Sequence, residues 1–234
     1  MKFFSYLTLV SLLILSGCAS VPQQVYVKDS NTTITKIALL EIPNPEEFIV
    51  FNIGGIGSIF GIFGALAENS VAKSNSEEFS HQLKERKIFV GNELRQALKT
   101  ELAKQGYEVI YLDGQFPEVK GKEEDYSNIQ TDADSILHVG YGAAGYLSTQ
   151  FSSDYKPWLR VSARLVSTKT RKPVYFQAFN YGAELTADGI KNIPSNEKYA
   201  YATFKDLSSE IDQSIEGIES GVDLISRQIA KDLH

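Results

Sequence analysis

The chain has 234 residues, 43% of them hydrophobic, which is enough apolar side chain for a real core and a prior of one or two domains. Twenty-three Lys and Arg against 29 Asp and Glu give a formal net charge of −6. That balance lacks the basic footprint of a nucleic-acid binder and argues against electrostatic attraction as the main contact with an anionic membrane.

The N-terminus carries one charge, Lys2, then an apolar run from Leu7 to Leu15, then Ser16-Gly17-Cys18. A positive start, a short apolar stretch and small residues before a cleavage point describe a secretory signal peptide. The run is too short for a membrane-spanning helix, which needs roughly 20 residues. Cys18 is the only cysteine, so it can form neither an intrachain disulfide nor a cysteine-based metal site. Leu15-Ser16-Gly17-Cys18 resembles the bacterial lipoprotein signal. The resemblance implies removal of residues 1–17, lipidation of Cys18 and, with Ala19 following, lodging at the outer membrane facing the periplasm. Losing Lys2 with the leader takes the mature chain to −7.

Residues 18–34 follow as lipidated N-terminus and tether. Val21–Thr33 is polar and reads as a spacer that lets the body stand off the membrane. Residues 35–234 read as a single periplasmic domain. Lys36–Ile42 is a short apolar run stopped by Pro43 and Pro45, which predicts a buried central strand.

Phe48–Ala67 is an insert of 20 residues without a charge, between Glu46-Glu47 and Glu68. Gly54, Gly57, Gly61 and Gly64 recur at steps of 3, 4 and 3, with Ile53, Ile56, Phe60 and Phe63 among them. On a helix the glycines make one small-residue face, and Gly57 and Gly61 have the spacing that lets two helices approach closely in lipid. Three readings stay open: packing on the domain or a neighbouring subunit, entry into or passage through a membrane, or a mobile loop. The first two make Gly54, Gly57, Phe60, Gly61, Phe63 and Gly64 a membrane or subunit contact.

Val90, Leu94, Leu98 and Leu102 predict a helix over Val90–Gln105, ended by Gly106. Tyr107–Leu112 predicts a strand closed by Asp113-Gly114. Gly121 to Asp134 is charged and polar, with Lys120, Lys122, Glu123, Glu124 and Asp125 clustered, and reads as a solvated loop. Ser135–Leu147 is apolar and glycine-rich. Trp158–Val166 and Val174–Tyr181 alternate apolar and polar about the turn Thr168–Pro173, which predicts an antiparallel hairpin with one wet face. Leu207, Ile211, Ile215, Ile218, Val222, Ile225, Ile229 and Leu233 make a helical stripe with Asp206 placed to cap it. The stripe suits packing on a sheet or against a partner helix. The predicted fold is therefore α+β, an α/β sandwich: a mixed sheet with a strand–helix–strand unit, an antiparallel hairpin and a long C-terminal amphipathic helix.

Ile37–Ile42, Ala133–Gly140 and Val161–Thr170 carry a further resemblance. Their order and patterning are similar to a group of periplasmic folds: the curli secretion-channel lipoprotein, the N-terminal domain of the Tol β-propeller protein, and the lipoprotein that activates a penicillin-binding protein. Arg171 stands where that group usually has Gly. The resemblance implies a non-catalytic component of an envelope complex. One form is a subunit of an oligomeric secretion or export assembly. The other is a monomeric or dimeric adaptor or activator of another envelope protein, such as a cell-wall synthase or a transporter. The expected partners are the membrane, through the lipid anchor, and an envelope protein or further copies of the chain, with no small-molecule substrate identified.

No cofactor, metal or catalytic set is expected. Gly140, Gly142 and Gly145 match a dinucleotide-binding spacing, but no Asp or Glu occurs from Tyr155 to Tyr181 to take the ribose, and no helix pattern follows. These glycines predict a bent or closely approached strand instead. His81, His138 and His234 lack metal-ligand spacing, and His138 reads as a satisfied core histidine. Paired acids such as Glu123-Glu124 have nothing beside them to raise a pKa.

Overall fold

The computed structural model describes residues 23–27, 34–53, 69–121, 123–149, 152–184 and 188–234. The proline-bounded run forms β1, Lys36–Leu40, and it is central as predicted. It lies parallel to β3, Glu108–Leu112, on one side and to the start of β6, Ser135–Thr149, on the other. Buried on both faces, Ile37 to Leu40 are apolar throughout, as a parallel inner strand requires.

The predicted hairpin is β7, Ser152–Ser167, and β8, Pro173–Gly182, with β9, Ile190–Ile193, parallel to β8. The sheet order is β3-β1-β6-β7-β8-β9. A further strand, β2 at Ile49–Asn52, runs parallel to the far end of β6, opposite Gly145–Ser148. The architecture is a mixed α+β sandwich, as the patterning predicts.

The structure corrects the insert boundary. Phe48, Val50, Phe51 and Ile53 are buried in the domain, so the apolar stretch starts as a strand. Helix α1, Ser70–Glu85, which the sequence pattern does not announce, covers β2. The Val50 N–H donates to the Ser76 hydroxyl at 2.9 Å and the Phe48 N–H to the Ser80 hydroxyl at 2.8 Å. Two serines of α1 thus satisfy edge donors that would otherwise face a neighbouring chain.

Helix α2, Val90–Lys104, buries Leu94, Leu98 and Leu102 as the spacing predicts. Its N-cap, Phe89, has no capping oxygen. Asn44 supplies one from the loop after β1, its Oδ1 accepting from the Gly91 N–H at 2.9 Å.

The C-terminal stripe is two helices, α3 at Phe204–Ser209 and α4 at Ile211–Asp232, broken at Glu210. Thr203, rather than Asp206, caps the start. Its hydroxyl accepts from the Asp206 N–H at 3.2 Å, and the Asp206 carboxylate takes the hydroxyl proton at 2.7 Å. Ile215, Ile218, Val222, Ile225 and Ile229 then bury against both α2 and the sheet face of Leu159, Val161 and Phe179, in the same core cluster. The sheet-packing alternative is the one observed, with a helix of the same chain alongside. The other sheet face carries a smaller core, where Tyr126, Ile129 and Ala133 cover Ala38, Leu40, Ile136 and Val166.

Part of the expected tether is not free. Gln24 and Phe176 exchange two main-chain hydrogen bonds of 2.9 Å, so the segment Gln23–Val27 is pinned to β8 by an antiparallel bridge at Gln24. Tyr26 packs on the main core beneath it.

Candidate functional site

The stretch read as a solvated loop folds into a small hairpin, β4 at Glu118–Lys120 and β5 at Glu123–Asp125. The hairpin leans over the sheet face opposite the helices. There β6, β7 and β8 present His138, Arg164 and Phe176 side by side, because these three residues are register partners.

Glu124 meets this row. Its carboxylate forms an ion pair with Arg164 and accepts from the Tyr126 hydroxyl at 2.5 Å. His138 Nδ1 lies 2.9 Å from the Tyr126 oxygen and 3.4 Å from the carboxylate. Since the Tyr126 proton goes to Glu124, both His138 contacts require a proton on Nδ1. Arg164 also stacks 4.8 Å above the Phe176 ring. The hydrogen bond from His138, with help from Tyr126 and the Arg164 charge, holds Glu124 ionised down to about 2. Burial and the adjacent carboxylate push Tyr126 up, well out of the titrating range.

Arg171 closes the rim. Its guanidinium donates to the carbonyls of Tyr126 and Ile129 at 2.9 and 3.0 Å. Its φ is +57°, in the left-handed region. That geometry is why a related turn would use Gly here, and the two carbonyl bonds hold an arginine in it. Glu124, Tyr126, Arg164, Phe176, Gln23 and Gln24 line a cleft of about 410 Å³. The cleft therefore sits at the root of the N-terminal segment. An acid that stays ionised to about 2 is a poor general acid or base near neutrality. Glu124, Arg164, Tyr126 and His138 are all engaged with one another, so the arrangement fastens the hairpin to the sheet and leaves a polar notch.

The other predicted positions do not converge on this notch. Cys18 and Gly54, Gly57, Phe60, Gly61, Phe63 and Gly64 lie outside the described residues. His138 is half-buried and partnered, His81 is exposed on α1 beside Glu85, and His234 ends the chain. Among the described residues no group of three His, Cys, Asp or Glu could hold a metal ion, and no helix is long and apolar enough to cross a membrane. Gly140, Gly142 and Gly145 all lie within β6. Gly145 has φ +144°, and a β-carbon there would collide with the Ile49 carbonyl, so the close strand approach expected of these glycines is found between β6 and β2. Sequence reasoning missed Glu124 and Arg164. The only signal was Arg164 on the wet face of an alternating strand.

No family model and no curated protein matches the chain. Among solved structures it is similar to protein XCC0632 from Xanthomonas campestris, of family-model DUF330, at 8% identity. That likeness covers 85% of this chain and 83% of the other, with a TM-score of 0.45. It is also similar to lipoprotein GNA1162 from Neisseria meningitidis at 13% identity, over 62% of this chain and 81% of that one, with a TM-score of 0.23. Neither likeness is close enough to carry a function across.

Proposed function

We propose that this chain is a lipid-anchored lipoprotein of the bacterial outer membrane, facing the periplasm, and a non-catalytic component of an envelope complex. The observation that carries the reading is the lone Cys18 behind Leu15-Ser16-Gly17 and the Leu7–Leu15 run. Cys18→Ala abolishes acyl labelling if this is right, and continued labelling of that variant overturns it. The fully engaged Glu124 cluster fits a body that binds or scaffolds. The strand patterning similar to the curli channel, Tol and penicillin-binding-protein-activator group points the same way.

Two forms of the assembly remain distinct. In an oligomeric export assembly, Gly54, Gly57, Phe60, Gly61, Phe63 and Gly64 supply subunit or lipid contacts. Ile53 and Ala72, on either side of that segment, pack in one cluster, so its two described flanks meet at one corner of the domain. A single crossing would instead set the two flanks on opposite sides of a bilayer. In an adaptor, the body works as a monomer or dimer on another envelope protein. Light scattering of the detergent-extracted lipidated protein separates the two, compared with a variant lacking Gly54–Ala67. Phe48–Ile53 must be kept, because those residues build the core. A discrete large oligomer that falls to monomer on deletion supports the assembly; a monomer or dimer in both supports the adaptor.

A further inference from the structure

We infer that the corner of the sheet where Gln23–Val27 docks on β8 is the surface this protein lays against its membrane, with anionic headgroups as the matching chemistry. The inference rests on lipidation of Cys18. Gln23 is five residues beyond Cys18. A fully extended chain reaches at most about 3.6 Å per residue, so the lipidated residue lies no more than about 18 Å from the docked segment. Gln24 is fixed by its two main-chain bonds to Phe176, and its Nε2 donates to the Pro173 carbonyl at 2.9 Å. The β8 edge therefore stays within that reach of the bilayer, where a polar spacer of some 15 free residues would have released it.

The chemistry of the corner suits such a position. Val25 and Val27 are each 76% exposed, while Tyr26 between them turns inward, so the outer face of the docked segment is apolar. The β7–β8 turn stands beside it, ending at the Pro173 that Gln24 holds. Lys169, Arg171 and Lys172 crowd three exposed cations into four residues of that turn, in a chain that is acidic overall. Lys169 and Lys172 have no carboxylate partner among the described residues. Glu124 is neutralised by Arg164, which leaves Glu123 as the opposing acid lining the cleft beside Gln23 and Gln24. Apolar side chains at the headgroup boundary with cations among phosphates describe an interfacial surface. The acyl chains supply the affinity and this corner sets the orientation.

The lone cysteine makes the test clean, because lipidation blocks the native thiol. Val27→Cys and Lys172→Cys each add one reactive thiol at the corner, and Asn92→Cys adds one on α2, at an exposed position away from it. Each full-length lipidated variant is labelled with a fluorophore. It is then reconstituted into phosphatidylcholine–phosphatidylglycerol vesicles carrying a headgroup nitroxide. The expected result is loss of fluorescence at positions 27 and 172 and none at 92. Equal quenching at all three, or quenching at 92 alone, overturns the orientation. A Lys169→Glu/Lys172→Glu background should relieve the quenching at 27, and unchanged quenching there overturns the role of the cations. Thiol labelling of the wild-type chain would instead show an unlipidated Cys18, a failure of the anchor itself that is read separately from the orientation.

Discussion

Replacing Glu124 by Gln tests whether the hairpin is held to the sheet by charge. Glutamine keeps the shape and can still accept from Tyr126, but it leaves Arg164 without a counter-ion. Moving a carboxyl from its ordinary 4.5 to about 2 corresponds to about 3 kcal/mol of preference for the ionised native form. The Glu124 side chain is 31% exposed, so solvent screening brings the net contribution down to about 1.5 kcal/mol. The sign follows from the lowered folded value. The contribution is fully present above 4.5 and is lost as pH falls from there toward 2. Urea unfolding of wild type and Glu124→Gln across pH 7 to 2.5 should give a gap of about 1.5 kcal/mol at neutrality that closes with acid. A gap that persists unchanged at pH 2.5, or no gap at pH 7, refutes the electrostatic fastening.

Arg171→Ala removes two carbonyl bonds and keeps the left-handed backbone, whereas Arg171→Gly removes the same bonds and relieves the strain. The glycine variant should therefore be the more stable of the two by about 1 kcal/mol in urea titration. Gly145→Ala should unseat β2 from β6, seen as loss of amide protection over Ile49–Asn52 in hydrogen exchange while Ile37–Leu40 stays protected. Glu93 is raised chiefly by burial and then by the nearby Glu219, and its Oε2 has no partner. Because ionisation there works against the native state, Glu93→Gln should raise the urea midpoint at neutral pH. That gain should vanish below the ordinary value of 4.5.

The elements legible in sequence were those whose buried side chains are apolar and evenly spaced. β1 stood out because prolines bound it, α2 and α4 because Leu and Ile recur every three or four residues, and β7 and β8 because they alternate. Helix α1 hid because its buried face is Ala72, Ser76, Phe79 and Leu83, half of it small or polar. β2 hid because the apolar stretch continues past it, and Gly54, in the Gly54-Gly55 pair after it, falls into the regular glycine spacing that reads as one longer segment. The Glu124–Arg164 pair spans 40 residues, and only the sheet register brings Arg164 beside His138 under the hairpin. Thr203 is the cap and Asp206, three residues on, accepts from its hydroxyl, so the acid marked the helix start without being the capping residue.

One edge of β6 is shared in series: Ser135–Leu137 receive β1, and Gly145–Ser148 receive β2. Both incoming strands are made about 100 residues before the strand they join, while β6, β7 and β8 are neighbours in sequence. On a growing chain the N-terminal half has only β3 to pair with β1 until Ser135 emerges. The sheet is thus templated from its C-terminal meander, and contacts of such long range form slowly. Completion of the sheet is tied to synthesis of its C-terminal strands, so the N-terminal strands wait about 100 residues for the edge they join.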